Sequence, residues 1–512
     1  MSVPRSVISS SITRAGVPVV LAGALFVACD GNHAAGIAEE AGTRPALDAQ
    51  PAPAEPARPG RSDAATSDAA GGLTSGTPEA SGAPDDPEPV LTAVEREKLL
   101  SLSPWAWPSP PSDPTNRFAD DARAATLGEK FFFDTSFSGK LLSTDHDGTP
   151  GSLGRAGDTG KVACASCHVR ESGFSDSRSF QRQISLGAGW GRRRAPSLLD
   201  VGQSKLIMWD GRRDSLFEQI FGPLESVVEM NSSRLYLAER IAERYQAEYE
   251  ALFGPLPPLG DAARFPQIAA SVTGCEPKHP TEPLPSCDGP FHGMPGDGAE
   301  FDSMAPADQL AVTAVAVDFG KAVGAFERRL SCGPGAFDAW IHGDTSALSR
   351  PAQRGAALFA GKGECVTCHS GAFLSDEQFH NVGLAPQIVQ QAFIDSDDRG
   401  AATGIAALLS DPLSSAGRFS DGADGRLPPA VTPAMEGAFR TPKLRCVGSR
   451  PAFMHTGQLG TLEKVVTFFD RGGDPSLYPG TSEIHSLGLS GLEQRDLVAF
   501  LKSLDARSPD GG

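Results

Sequence analysis

Apolar positions recur at helical spacing in several stretches of the chain, whereas alternation with a period of two is rare and short, so the pattern predicts an all-α protein with long loops. Ordered sequence begins at Thr92-Ala93-Val94-Glu95, where a threonine and a glutamate three residues on form a capping box that opens a helix to about Leu102. Prolines from Pro104 to Pro114 then end it. A second helical stretch runs from Asp121 to Phe133, closing on Leu127-Gly128-Glu129-Lys130-Phe131-Phe132, and a Gly-rich loop follows. Between Asp308 and Leu330 the length and the apolar residues Leu310, Val317, Val323, Phe326 and Leu330 predict a buried helix. A further helix passes through Gln353, Leu358 and Phe359. After Thr461, Leu462, Val465, Val466 and Phe469 recur on one face, which predicts a helix with that face buried.

Two of the connecting loops carry Cys164-Ala165-Ser166-Cys167-His168 and Cys365-Val366-Thr367-Cys368-His369. Two thiols separated by two residues can each form a thioether to one vinyl group of a haem, and the next histidine then falls under the iron as proximal ligand. A zinc site would want a second thiol or imidazole pair at short spacing, and none lies beside either motif. Two copies in a chain with only nine cysteines and ten histidines predict two covalently bound haem c groups, with His168 and His369 on the irons. A Gly-rich loop leads from the helix ending at Phe133 to the first motif, and the helix through Phe359 runs into the second. The repeat suggests duplication into two tandem cytochrome c-like haem domains, 91–345 and 346–507, with the boundary between Gly343 and Arg350.

At 512 residues the chain is long enough for two or three domains plus unstructured sequence. Its formal net charge of −18 argues against binding nucleic acid or anionic lipid through a basic patch and suits a basic redox partner. Arg5 and Arg14 precede an apolar run from Val17 to Ala28 and then Cys29-Asp30, which reads as an export signal over 1–29, too short to span a membrane. Small residues before Cys29 resemble a lipobox, with Phe26 where leucine is usual, so a lipid anchor at Cys29 and plain cleavage with release both stay open. Either outcome places the protein in the periplasm, where haem c is attached. From 30 to 90 the sequence is nearly all Ala, Pro, Gly, Ser, Thr, Asp and Glu and reads as a disordered tether. Cys275, Cys287, Cys332 and Cys446 remain, an even number that predicts two disulfides in an oxidising compartment. Of three pairings, Cys275 with Cys287 and Cys332 with Cys446 are preferred on proximity alone.

Trp209-Asp210-Gly211-Arg212-Arg213-Asp214-Ser215-Leu216, then Gln219, Gly222-Pro223-Leu224 and Glu229-Met230, follow the first motif. Thr441-Pro442-Lys443-Leu444-Arg445, Met454-His455-Thr456-Gly457 and Thr461-Leu462-Glu463-Lys464-Val465-Val466 follow the second. In this order the strings resemble the bacterial di-haem cytochrome c peroxidases and their MauG relatives, from about Leu91 to Leu504. The resemblance implies that hydrogen peroxide reacts at the N-terminal haem and that the C-terminal haem receives electrons from a small cytochrome c or cupredoxin. Trp209 is then the tryptophan between the haems, and Glu229 and Gln219 are the distal carboxylate and amide. Such a base takes a proton from peroxide and returns it to the leaving oxygen, and an apolar pocket raises its pKa so that both states are accessible. Without these neighbours Trp209 would read as a core aromatic and Glu229 as a solvated helix glutamate.

Three departures from the resemblance bear on function. No histidine occurs between His168 and His279, where many of these peroxidases carry one that blocks the peroxide site; Gly187-Ala188-Gly189-Trp190-Gly191 stands there instead, implying a permanently open first haem. Arg194 and Arg450 replace the asparagine and threonine that help to hold an inter-haem calcium, and a guanidinium cannot ligate a cation. Phe469 occupies the position of the second haem's sixth ligand and has no lone pair; Met454, His455, His380, Tyr478 and His485 are substitutes by residue type, and without one the ferric haem is high-spin. Three functions follow in order of preference: an exported di-haem peroxidase reducing hydrogen peroxide to water, a MauG-like oxidase of a protein or small organic substrate, and a non-enzymatic electron carrier. Nothing in the sequence sets the oligomeric state.

Overall fold

The long helix that precedes each haem motif crosses a second helix at a glycine, and the two crossings are built alike. The computed structural model describes residues 89–149, 151–178, 184–278, 289–386 and 398–506, all within one compact unit spanning 80–512. The export segment 1–29 with Cys29, and the tether from 30 to 88, lie outside the described residues. In chain order the α-helices are α1 (Ala93–Ser101), α2 (Ala122–Phe133), α3 (Cys164–Cys167), α4 (Leu216–Gln219), α5 (Phe221–Glu225), α6 (Arg234–Arg244), α7 (Gln246–Phe253), α8 (Pro306–Glu327), α9 (Ala336–Ile341), α10 (Arg350–Ala360), α11 (Ala401–Ser410), α12 (Leu462–Asp470) and α13 (Gly491–Lys502).

α2 crosses α8 at Gly128, where a Cβ would strike the Ala322 carbonyl, and α10 crosses α13 at Gly355, where a Cβ would strike the Asp496 carbonyl. Four residues on, the helices meet through phenylalanines: Phe132 and Phe326 lie 5.1 Å apart at 56°, Phe359 and Phe500 5.1 Å apart at 57°. The same two inner rings reach the haem motifs, Phe132 at 6.4 Å from His168 and Phe359 at 6.4 Å from His369. The resulting apolar clusters are separate, one around Phe131, Phe137, Phe217 and Phe319 and the other around Phe337, Phe359, Phe500 and Leu102.

The clusters trade elements. Leu99 and Leu102, at the end of α1, belong to the second, although α1 precedes the first haem motif. Leu413, just after α11, belongs to the first, where Lys321–Asp421 at 2.8 Å, Arg426–Asp113 at 3.1 Å and Arg213–Asp411 tie its segment down. Strand structure among the described residues is confined to two antiparallel pairs, Gly274–Cys275 with Phe291–His292 and Phe379–His380 with Phe439–Arg440. The regular structure of the described residues is thus almost all helical, as the periodicity predicts, and is joined by long loops.

The capping box of α1 forms, with Glu95 N–H donating to Thr92 Oγ1 at 3.2 Å and Thr92 N–H to Glu95 Oε2 at 2.8 Å. α8 stops three residues before Leu330, whose carbonyl instead accepts from Asp200 N–H at 2.7 Å. It is long and apolar enough to cross a membrane, yet most of it is buried against α2, α4 and α6 as a core helix. In α12 the buried residues are Leu462, Val466 and Phe468, while Phe469 is half-buried and turned to a cavity. Cys332 and Cys446 form the expected disulfide, with Cα atoms 5.8 Å apart. Cys275 is also disulfide-bonded, and Cys287, its expected partner, lies outside the described residues.

Candidate functional site

Cys164, Cys167, Cys365 and Cys368 are free and half-buried. Each following histidine is aimed the same way. His168 Nδ1 donates to the Phe174 carbonyl at 3.0 Å and His369 Nδ1 to the Leu374 carbonyl at 2.9 Å. Both acceptors sit on left-handed backbone, φ +54° at Phe174 and +51° at Leu374, which non-glycine residues rarely adopt and which is kept where a carbonyl must be presented. Burial pushes both imidazoles below their ordinary pKa, so they are neutral with Nε2 carrying the lone pair. Two free thiols and an imidazole oriented through its far nitrogen fit a haem c at each motif.

Around the first motif, Arg178 Nη2 lies 3.7 Å from Cys167 Sγ and donates to the Leu186 carbonyl at 2.9 Å. The loop that follows is clamped to the segment bearing Glu229: Ala188 N–H donates to the Glu229 carbonyl at 2.6 Å and Gly189 N–H to that of Val228 at 2.9 Å. Gly187 must lack a side chain, because a Cβ there would run into the Glu229 backbone. His146 Nε2 holds the Gly187 carbonyl at 2.8 Å, and Trp190 Nε1 donates to Asp145 Oδ2 at 2.6 Å. The half-buried Glu229 carboxyl is raised in pKa by desolvation, against the opposing charges of Arg212 and Arg213, and its field reaches both Cys164 and Cys167. Gln219 ends α4 half-buried, its side-chain amide without a hydrogen-bond partner among the described residues.

Trp209 follows Met208, whose φ of +69° turns the chain into the wall of a cavity of about 410 Å³ beside the second motif. Its indole N–H donates to the Arg194 carbonyl at 2.8 Å, and its own carbonyl accepts from Arg440 N–H at 2.8 Å. Asp210 is pinned by Arg193 at 2.7 Å and Arg212 at 2.9 Å. The cavity wall includes Cys365, Cys368, His369, Phe469, Arg194 and Arg450.

All five substitute donors named from the sequence also line this cavity. His380 has both ring nitrogens committed, to Asp376 at 2.9 Å and Glu483 at 2.7 Å. His455 stacks on Phe439, ring centroids 3.6 Å apart, and burial together with Arg193 pushes its pKa down to about 3. His485 is largely exposed.

Arg194 Nη2 donates to the Asp176 carbonyl, and Arg450 Nη1 and Nη2 donate to those of Lys443 and Arg445 at 2.8 Å each. The donor set between the motifs is therefore cationic and does not fit a calcium ion. Among the described residues the group of three side chains close enough to hold a metal is Cys368, Asp376 and His380, which includes a haem thiol.

Sequence reasoning missed His146 and Glu327. The second is buried at the end of α8, desolvated to a pKa of about 8, and its field reaches Cys164. An acid at a helix C-terminus opposes the helix dipole, a signal readable in the sequence.

The model of the family "Di-haem cytochrome c peroxidase" matches residues 122–276. The chain is 32% identical to the methylamine utilization protein MauG of Methylorubrum extorquens over 354 residues, 69% of this chain and 75% of that protein. It is 26% identical to cytochrome-c peroxidase IdrP1 of Denitromonas iodatirespirans, over 76% of this chain and 83% of that one. The diheme peroxidase BthA of Burkholderia thailandensis shares the fold with a TM-score of 0.52 at 20% identity, covering 82% of this chain and 96% of its own. With two oriented CxxCH histidines, a raised carboxyl at one and a tryptophan in the wall of the other, this chain belongs to the di-haem cytochrome c peroxidase and MauG family of oxidoreductases.

Proposed function

We propose that this chain is an exported di-haem peroxidase, with tandem haem domains 91–345 and 346–507, that reduces hydrogen peroxide to two waters with two protons and two electrons from a small cytochrome c or cupredoxin. The carrying observation is the division of labour between the motifs: the raised Glu229 carboxyl stands beside Cys164 and Cys167, and Trp209 lines the cavity of Cys365 and Cys368. The haem at Cys164 and Cys167 supplies the redox chemistry on peroxide. Glu229 takes the proton from the attacking oxygen and hands it to the leaving one, a role its desolvation suits because burial raises its pKa and so eases access to the protonated state. Gln219, with a free amide, orients the peroxide by hydrogen bonding. Trp209, fixed by its N–H on the Arg194 carbonyl, shortens the electron path from the second haem.

The test is steady-state turnover of peroxide with a reduced small cytochrome, and the same assay on Trp209→Phe. Peroxide consumption coupled to cytochrome oxidation, slowed in Trp209→Phe, is expected; no coupled turnover overturns the peroxidase reading. A MauG-like oxidase acting on a protein or small organic substrate is the second reading, favoured by the 32% identical relative and by the glycine-rich stretch 187–191 where a blocking histidine would stand. Bleaching of a peroxide-induced spectrum by an organic reductant or a protein substrate, without cytochrome turnover, would select it. Periplasmic location, with or without a lipid at Cys29, is read out by fractionation and by mass spectrometry of the mature N-terminus.

A further inference from the structure

A porphyrin tethered to Cys365 and Cys368 would carry two propionates, and carboxylates taken out of bulk water need cationic partners. Arg440 in the cavity wall is already paired with Glu377 at 3.1 Å. Arg450 is different. Two of the five N–H donors of a guanidinium go to the Lys443 and Arg445 carbonyls, which fixes its plane, while Nε is buried with no hydrogen-bond partner and no carboxylate of the described residues lies within ion-pair distance. Its field is felt at His369, and it also lines a small cleft of about 40 Å³ shared with Trp209, Arg440 and Lys443. Arg450 thus lines both the cavity of the second haem motif and the cleft that it shares with Trp209. Across the same cavity Arg194 carries the carbonyl that holds Trp209 and donates its own N–H to the His455 carbonyl at 2.8 Å.

We propose that Arg450 is the propionate-binding cation of the second haem and takes the electrostatic place of a divalent ion between the haems. The inference rests on the two-haem reading above. A fixed guanidinium with unused donors is suited to a charge-assisted, forked hydrogen bond to a carboxylate. Its charge has a redox consequence. Reduction of a haem adds one negative charge, so a fixed cation beside the propionates favours the reduced state and raises the reduction potential. It also removes any need for an added cation to organise the region.

The holoprotein tests this directly. Haem is counted by pyridine haemochrome, calcium by elemental analysis, and both potentials by optical redox titration, with and without the chelator EGTA, for wild type, Arg450→Gln and Arg450→Lys. Expected are no stoichiometric calcium and no effect of EGTA in wild type, a lowered potential of one haem in Arg450→Gln, and substantial recovery in Arg450→Lys. Unchanged potentials in Arg450→Gln with both haems attached overturn the proposal. So does stoichiometric calcium whose removal alters the wild-type spectra, an arm that needs no variant to fold. Fewer than two haems per wild-type chain would instead sink the two-haem reading, independently of Arg450.

Discussion

At the scale of single residues, the chemistry of this chain rests on groups whose ordinary charge states are displaced. Glu229→Gln leaves both thioether motifs intact but removes the proton acceptor, and it is expected to slow the reaction with peroxide by about 100-fold or more, the usual cost of losing a positioned acid-base group. Wild-type rates in stopped-flow mixing would take Glu229 out of the mechanism. Glu327 yields a prediction of a different kind. Burial alone raises its pKa from 4.5 to about 8, so between those values the folded chain keeps a proton that the unfolded chain has released. Its contribution to stability is complete below about pH 4.5 and is lost as the pH climbs through about 8. Glutamine has no proton to lose, so the Tm of Glu327→Gln should gain on wild type as the pH rises across this window. A constant difference in Tm would show that Glu327 is not a neutral buried acid. The thiols and proximal histidines were legible as residues because CxxCH is a covalent requirement, and Glu229 and Trp209 because the strings around them resemble a family. His146 was not, since a histidine that only holds the Gly187 carbonyl leaves no local pattern.

At the scale of elements, the start of α1 was readable from the capping box at Thr92, and the stretch read from Asp121 begins α2, where the structure adds that the Asp121 side chain caps it. What the pattern could not give is how helices cross. Gly128 and Gly355 look like weak points in their helices, each costing roughly 1 kcal/mol against alanine; in the fold they are the contact points of the α2–α8 and α10–α13 crossings. Gly355→Val must push α10 away from the Asp496 carbonyl and separate Phe359 from Phe500, and it is expected to cost about 1–3 kcal/mol as an overpacked core does. Urea unfolding followed by tryptophan fluorescence measures this, and an unchanged midpoint would mean that the crossing is loose. The same displacement should disturb the second haem first, because Phe359 lies against His369. The α12 helix shows the opposite limit of periodicity. Its spacing placed Phe469 on the buried face, but the burying surface is Phe468, and Phe469 faces the cavity, because a cofactor site presents apolar wall where the pattern reads core.

At the scale of the whole molecule, two similar haem sites are made unlike by what stands on their open sides, and this decides the resting state of the protein. Beside the first motif the loop 187–189 is hydrogen-bonded to the backbone of Val228 and Glu229 and anchored by His146, so it has no imidazole to offer and little freedom to swing one in. The exchange of α1 and the Leu413 segment between the two apolar clusters, which no local pattern could announce, further ties the halves into one body. On the reading proposed above, an open first haem needs no reductive priming to vacate a ligand position. The fully oxidised protein is therefore expected to react with peroxide at its full rate from the first mixing, with no lag that prior one-electron reduction abolishes. The second site leads to a linked expectation. Phe469 lines its cavity with a ring that has no lone pair, His380 spends both nitrogens on Asp376 and Glu483, and His455 is stacked on Phe439. With no lone pair on Phe469 and these two imidazoles engaged, the ferric second haem is expected to be high-spin in the EPR spectrum at neutral pH, alongside a high-spin first haem. A low-spin signal from one haem per chain would show that Met454, Tyr478 or a moved His455 has been recruited, and a low-spin signal coupled to a priming lag would mean that the open state of the first site depends on the second after all.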